Sequence, residues 1–174
     1  MSMPPNAPGT LAHHEIARRI PHQGSMCLLD KVLEWDESRI RCQASSHLAP
    51  DHPLRAHGRL GVACGVEYAA QAMAVHGALV AEHRAGASPP CAGFLASMRG
   101  VTLHVERLDT VAGPLTVSAE RIAGDANTVL YSFTVQDGAR TLLSGRAIVV
   151  LDAGGLAPKP SAGNAASSPR RAFP

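Results

Sequence analysis

The chain predicts an α+β domain in which a curved antiparallel sheet of about five to six strands wraps one long central helix. Three observations carry that expectation. From Gly61 to about His83 the sequence is small or apolar nearly all round a helical period, so this helix must be covered on all sides. From Cys91 onward the chain changes to β-rich segments, CAGFLASM, VTLHVERL, LTVSAERI, TVLYSFTV and TLLSGRAIVVLD, separated by Ala-Gly-Asp-Ala-Asn and Gln-Asp-Gly-Ala turn signals. Ahead of the helix, two short alternating runs flank the turn residues Asp36 to Ser38.

In chain order, residues 1–10 are rich in Pro, Asn, Gly and Thr, bury little apolar surface and are expected to be mobile. Leu11 to Arg19 suits a short helix running into the Pro21-His22-Gln23-Gly24 turn. Cys27 to Leu29, continued by Val32, Leu33 and Trp35, forms the first strand of a hairpin with Arg39 to Ala44. Asp51 to Arg59 is a loop rich in His, Pro and Arg, followed by the central helix. Its many alanines keep it thin, so strands can approach closely. Residues 11–152 make a single domain, and the Gly-, Ser- and Pro-rich stretch 153–174 is a disordered tail.

Composition excludes several classes of function. Sixteen Lys and Arg against fourteen Asp and Glu leave no clustered basic surplus for nucleic acid. The apolar window Val62 to Ala81 is almost long enough to span a bilayer, but much of it is alanine or glycine, and Glu67, Gln71 and His76 lie well inside it, so no membrane association is expected. Cysteines 27, 42, 64 and 91 show no CxxC pair, which indicates reduced buried thiols and a cytoplasmic location. The nine histidines lack HxH, HxxxH or CxxH clustering, so no metal is expected. No phosphate-loop, dinucleotide or serine-elbow phrase is present.

One polar pair stands out inside the helix. In GVEYAAQAMAVHGAL, Gln71 follows Glu67 by one turn on the same face, where its amide could orient the carboxyl. A carboxyl buried among alanines would favour the protonated form that a general acid must have. A hairpin, a long buried helix and then about four strands is the element order of the hot-dog fold.

Two motifs resemble hot-dog 3-hydroxyacyl-carrier-protein dehydratases. IPHQGSMCLLDKV (Ile20 to Val32) is similar to their Leu-Pro-His…Leu-Leu-Val-Asp opening, and GVEYAAQAM is similar to the start of their central helix. The phrases look closest to the dehydratase-like proteins of aryl-polyene and related pigment pathways. The resemblance implies dehydration of a 3-hydroxyacyl thioester to a trans-2-enoyl thioester, in fatty-acid-like or polyene biosynthesis. The substrate would be carried on the phosphopantetheine of an acyl carrier protein, with no other cofactor. It implies a dimer, homo- or heteromeric with another hot-dog subunit, whose sites draw on both chains.

By the same resemblance Glu67 falls on the family's helix carboxylate, the acid. His52 falls near the loop histidine that acts as base, fifteen residues before Glu67, although the family's His-Phe-Pro-Gly phrase here reads His-Pro-Leu-Arg. His57 is the other loop candidate, and His22, in the Pro-His phrase, is an entrance or supporting residue. Backbone N–H groups at Gly61 and Val62, at the helix start, are expected to stabilise the enolate-like oxygen. Arg55, Arg59 and Arg99 are candidates to attract the phosphopantetheine arm or an acidic carrier. Two alternatives belong to the same fold: an acyl-thioester hydrolase whose helix carboxylate activates water, and a catalytically degenerate subunit that completes an active partner.

Overall fold

The computed structural model describes residues 9–85, 93–125 and 127–150. Except for Gly9 and Thr10, the expected mobile N-terminus lies outside the described residues, as do the expected tail over 153–174 and Cys91. The architecture is the expected one, a long helix against an antiparallel sheet, but among the described residues the sheet has seven strands rather than five to six. In chain order these are β1 (Leu11–Ala12), α1 (His13–Ala17), β2 (Lys31–Trp35), β3 (Arg39–Ala44), α2 (Gly65–Ala85), β4 (Phe94–Leu103), β5 (Leu115–Gly124), β6 (Thr128–Asp137) and β7 (Arg140–Val150). They pair in the order β1-β2-β3-β5-β6-β7-β4.

Three expectations change in detail. The stretch read as one short helix begins as β1, because Leu11 and Ala12 pair with Val32 and Lys31 before the chain turns helical. Cys27 to Asp30 is extended but is not part of a strand, since Leu28 is held by a side chain instead of a ladder. The FLASM part of the first expected segment and the VTL that opens the second belong to one strand, β4, not two: Gly100, at φ 58°, takes up a bulge between Arg99 and Thr102 without ending the pairing with β7.

The β2–β3 turn forms because the Asp36 carboxylate accepts hydrogen bonds from Ser38 N–H (2.7 Å), the Ser38 hydroxyl (2.6 Å) and Arg39 N–H (3.0 Å). A turn of 3₁₀ helix at Val62–Cys64 leads into α2. Tyr68, Ala69, Ala72, Met73, Val75 and His76 are all buried, as a helix without a polar face requires. Gly65 marks the closest approach of helix to sheet, since a β-carbon there would collide with the Leu143 side chain on β7. His76 fastens the middle of α2: its Nε2–H donates to the Asp36 carbonyl and its Nδ1 accepts from the Tyr131 hydroxyl, both at 2.8 Å.

The segment between α1 and β2 is pinned to α2 at two levels, and this positions the site. The Arg19 guanidinium makes a forked ion pair with Glu82 at 3.0–3.1 Å toward the end of the helix. Gln71 holds the same segment at Met26 and Leu28. His22, between the two pins, is thereby carried over the helix face that bears Glu67.

Candidate active site

Gln71 is fully buried and uses both ends of its amide. Its Oε1 accepts the Leu28 N–H (2.8 Å), which fixes the amide so that Nε2 donates to the Met26 carbonyl (2.7 Å) and to Glu67 Oε1 (2.9 Å). The i,i+4 geometry expected of this pair is present. His22 Nε2 lies 3.0 Å from the same Glu67 oxygen, while His22 Nδ1 is buried with no partner among the described residues. Glu67 is not enclosed as expected, because 30% of its side chain remains accessible. With Oε1 occupied twice, Oε2 is the carboxyl oxygen available to a ligand.

That face of the helix opens on a cavity of about 410 Å³. Glu67 and His22 sit on its wall with Ala70 and Ala74, one and two turns further along α2, and with Phe94 and Leu95 of β4. Arg18 and Arg19 supply its positive charge. The small alanines leave room for a slender apolar chain beside the helix. β4 is an edge strand exposed along nearly its whole length, with Phe94 at 55%, Met98 at 42% and Leu103 at 49%. The cavity wall is therefore part of an unpaired sheet edge.

The other expected site residues are placed elsewhere. His52 is buried, 4% exposed, and no hydrogen bond joins it to Glu67 within the chain. Its Nδ1 accepts the Leu54 N–H (3.1 Å) and its Nε2 meets the Tyr68 hydroxyl (3.0 Å). Burial, then the nearby positive charges of Arg55 and His47, lowers its pKa and keeps the ring neutral. In this arrangement neither nitrogen offers a lone pair to a substrate. His57 occupies the tip of an exposed tight turn at φ 51°, closed by the Ala56–Arg59 bridge.

The Val62 N–H donates to the Glu106 carbonyl (3.0 Å) and so cannot also serve an oxyanion, and Gly61 lies in a bridge with Arg107 away from the cavity lining. Arg55 is likewise engaged, in an ion pair with the buried Asp109 (3.0 Å), which Arg107 also grips at 2.7 Å. Arg59 and Arg99 are exposed. Among the described residues no three His, Cys, Asp or Glu side chains converge as metal ligands would.

Sequence reasoning missed Tyr68 and Ser46. The Tyr68 hydroxyl meets Ser46 Oγ at 2.8 Å, and Ser46 Oγ–H donates to the Leu28 carbonyl at 2.9 Å. A tyrosine within an otherwise small-residue buried helix was the available signal, because a buried phenol needs a partner.

Fold and site together define a hot-dog protein with a carboxylate presented from its central helix. A profile of ApeP-like proteins, described as ApeP dehydratase, matches residues 14–153, and the chain belongs to that family. No curated protein matches it by sequence. Among solved structures it resembles the dehydratase heterocomplex ApeI:P from Xenorhabdus doucetiae, with a TM-score of 0.68 at 20% identity over 79% of this chain and 90% of that one. It also resembles the uncharacterised protein PH1136 from Pyrococcus horikoshii, with a TM-score of 0.54 at 12% identity over 83% and 94% of the two chains. The E. coli PaaI protein from the phenylacetic acid degradation operon gives a TM-score of 0.53 at 12% identity, over 79% and 88%. At these identities the likeness is one of fold. Among the described residues no helix is long and apolar enough to cross a membrane.

Proposed function

We propose that this chain dehydrates 3-hydroxyacyl thioesters held on an acyl carrier protein to trans-2-enoyl thioesters, acting with a second hot-dog subunit. The observation that carries the reading is Glu67: a carboxyl of an ApeP-like chain, oriented by Gln71 and His22, with one oxygen open to a cavity lined by small apolar residues. In the reaction a base removes the C2 proton and its electron pair forms the C2=C3 bond. The C3–O bond breaks as an acid protonates the departing hydroxyl, which leaves as water. Glu67 Oε2 is suited to the acid's part.

The base is better supplied across the β4 edge. His22 has Nε2 committed to Glu67 and Nδ1 buried, and His52 would have to leave both Leu54 and Tyr68. A partner seated on β4 would pair its exposed edge and cover the cavity wall at Phe94 and Leu95. The solved dehydratase heterocomplex supports such a pairing by fold. Among the described residues, Cys27, Cys42 and Cys64 are free thiols, which fits a reducing, cytoplasmic setting.

The test is intact-mass detection of water loss from a 3-hydroxyacyl carrier protein, with the chain alone and co-purified with a hot-dog partner. Glu67→Gln should lower the rate by ~100-fold or more. No turnover in either preparation would overturn the dehydratase reading, and release of free acid would replace it with thioester hydrolysis. An unaffected Glu67→Gln assembly would make the chain a non-catalytic subunit. His52→Asn separates the remaining roles: a loss as deep as that of Glu67→Gln would return His52 to the position of base.

A further inference from the structure

The hydrogen bonds beneath the site form one chain with a fixed direction. It starts at a backbone donor, the Leu54 N–H, which claims His52 Nδ1 (3.1 Å). A neutral imidazole with Nδ1 accepting must carry its proton on Nε2, so His52 Nε2–H donates to the Tyr68 hydroxyl (3.0 Å). The Tyr68 O–H then donates to Ser46 Oγ (2.8 Å), and Ser46 O–H donates to the Leu28 carbonyl (2.9 Å). The other polar group of Leu28, its N–H, orients the Gln71 amide that holds Glu67.

We infer that His52, Tyr68 and Ser46 are positioning residues, a buried relay that fixes Leu28 and through it the orientation of Gln71 and the Glu67 carboxyl. The inference rests on the proposed role of Glu67 in dehydration. Because the chain begins at a backbone N–H and ends at a backbone C=O, neither end can take up or release a proton. Its direction cannot reverse, so it orients groups without conducting protons.

Burial reinforces this. Tyr68 is pushed up to about 12 and stays a donor, and His52, lowered by burial, stays neutral. The arrangement also accounts for a polar loop histidine buried at 4% exposure with both ring nitrogens engaged by Leu54 and Tyr68. The ionisable groups that share the cavity lining with Glu67, namely His22, Arg18 and Arg19, are outside the relay.

The test is Tyr68→Phe, with Ser46→Ala as a second variant that breaks the same relay at a less buried point. Nitrogen-15 NMR should find wild-type His52 as the Nε2–H tautomer, and the two Gln71 side-chain N–H resonances displaced from those of free glutamine. In either variant the Gln71 pair should move toward free-glutamine positions. Turnover of the partnered protein should fall about tenfold in kcat with KM unchanged, the effect expected of one lost orienting hydrogen bond. Unchanged Gln71 resonances in the folded variants, or an Nδ1–H tautomer in the wild type, would overturn the relay. The NMR outcome is independent of activity, so a wild-type protein that fails to dehydrate would sink the function while leaving the relay to be judged by its own signal.

Discussion

Replacing Gln71 by methionine isolates what one buried amide contributes to stability. Methionine is close in volume and helix propensity, so packing and helix formation change little. The variant loses the acceptor of the Leu28 N–H and the donors to the Met26 carbonyl and Glu67. The Leu28 N–H is buried and nothing else reaches it, whereas Met26 is partly open to water. A buried orphan donor costs ~1–3 kcal/mol and a partly wetted carbonyl less, which sums to roughly 2–4 kcal/mol. At about 4 °C per kcal/mol for an ordered domain of this size, Tm should fall by about 10 °C. Thermal unfolding followed by circular dichroism at fixed protein concentration reads this directly, fixed because assembly makes Tm concentration-dependent. Glu67→Gln is the control: its side chain is partly exposed and an amide can remake the contacts, so Tm should stay within about 2 °C. A shift below about 3 °C for Gln71→Met would refute the reasoning, because the Leu28 N–H would then have to find water or another acceptor.

The Asp109 carboxyl is held well below the usual carboxylate range by the Arg107 hydrogen bonds first, then by the Leu60 backbone and the charges of Arg107 and Arg55. Its stabilisation is therefore present above its unfolded value of about 4 and lost as pH falls below it. Asp109→Asn should flatten the fall in urea midpoint below about pH 4, and an unchanged slope would exclude the triad as its source. Burial lowers the pKa of His76, and of His47 and His52 with it. Their contribution is complete above about pH 6.5 and declines as pH falls below that value. His76→Gln should accordingly show a shallower loss of stability between pH 7 and 5 than wild type, measured by urea titration, and equal slopes would contradict this. Met98→Glu with Leu103→Glu, both on the exposed β4 edge, should reduce the proposed assembly with a hot-dog partner to single subunits by light scattering without loss of helical signal; an unchanged mass would rule out β4 as the interface.

Glu67 and Gln71 were legible in the sequence because one helical turn fixes their separation whatever surrounds the helix. The β-rich segments were legible for a similar local reason, although β1 and the continuity of β4 were not. A two-residue strand carries no periodicity, and Gly100 resembles a turn until β7 is seen pairing on both sides of it. His22 was recognised only as a supporting residue, since its approach to Glu67 depends on the distant pins at Arg19–Glu82 and Gln71–Met26.

His52 shows the boundary most clearly. Its spacing from Glu67 resembles a catalytic arrangement, yet hydrogen bonds from Leu54 and to Tyr68 commit the ring to the interior. By itself, then, the sequence determined the uniformly apolar helix, its covering of strands and the carboxyl with its orienting amide, all governed by periodicity within a few residues. Tertiary structure alone decided which histidine meets that carboxyl, which backbone N–H groups are already engaged, and that the cavity wall lies on an open sheet edge. Hydrogen-bond partners far apart in the chain are selected by packing, and packing leaves no local spacing to read.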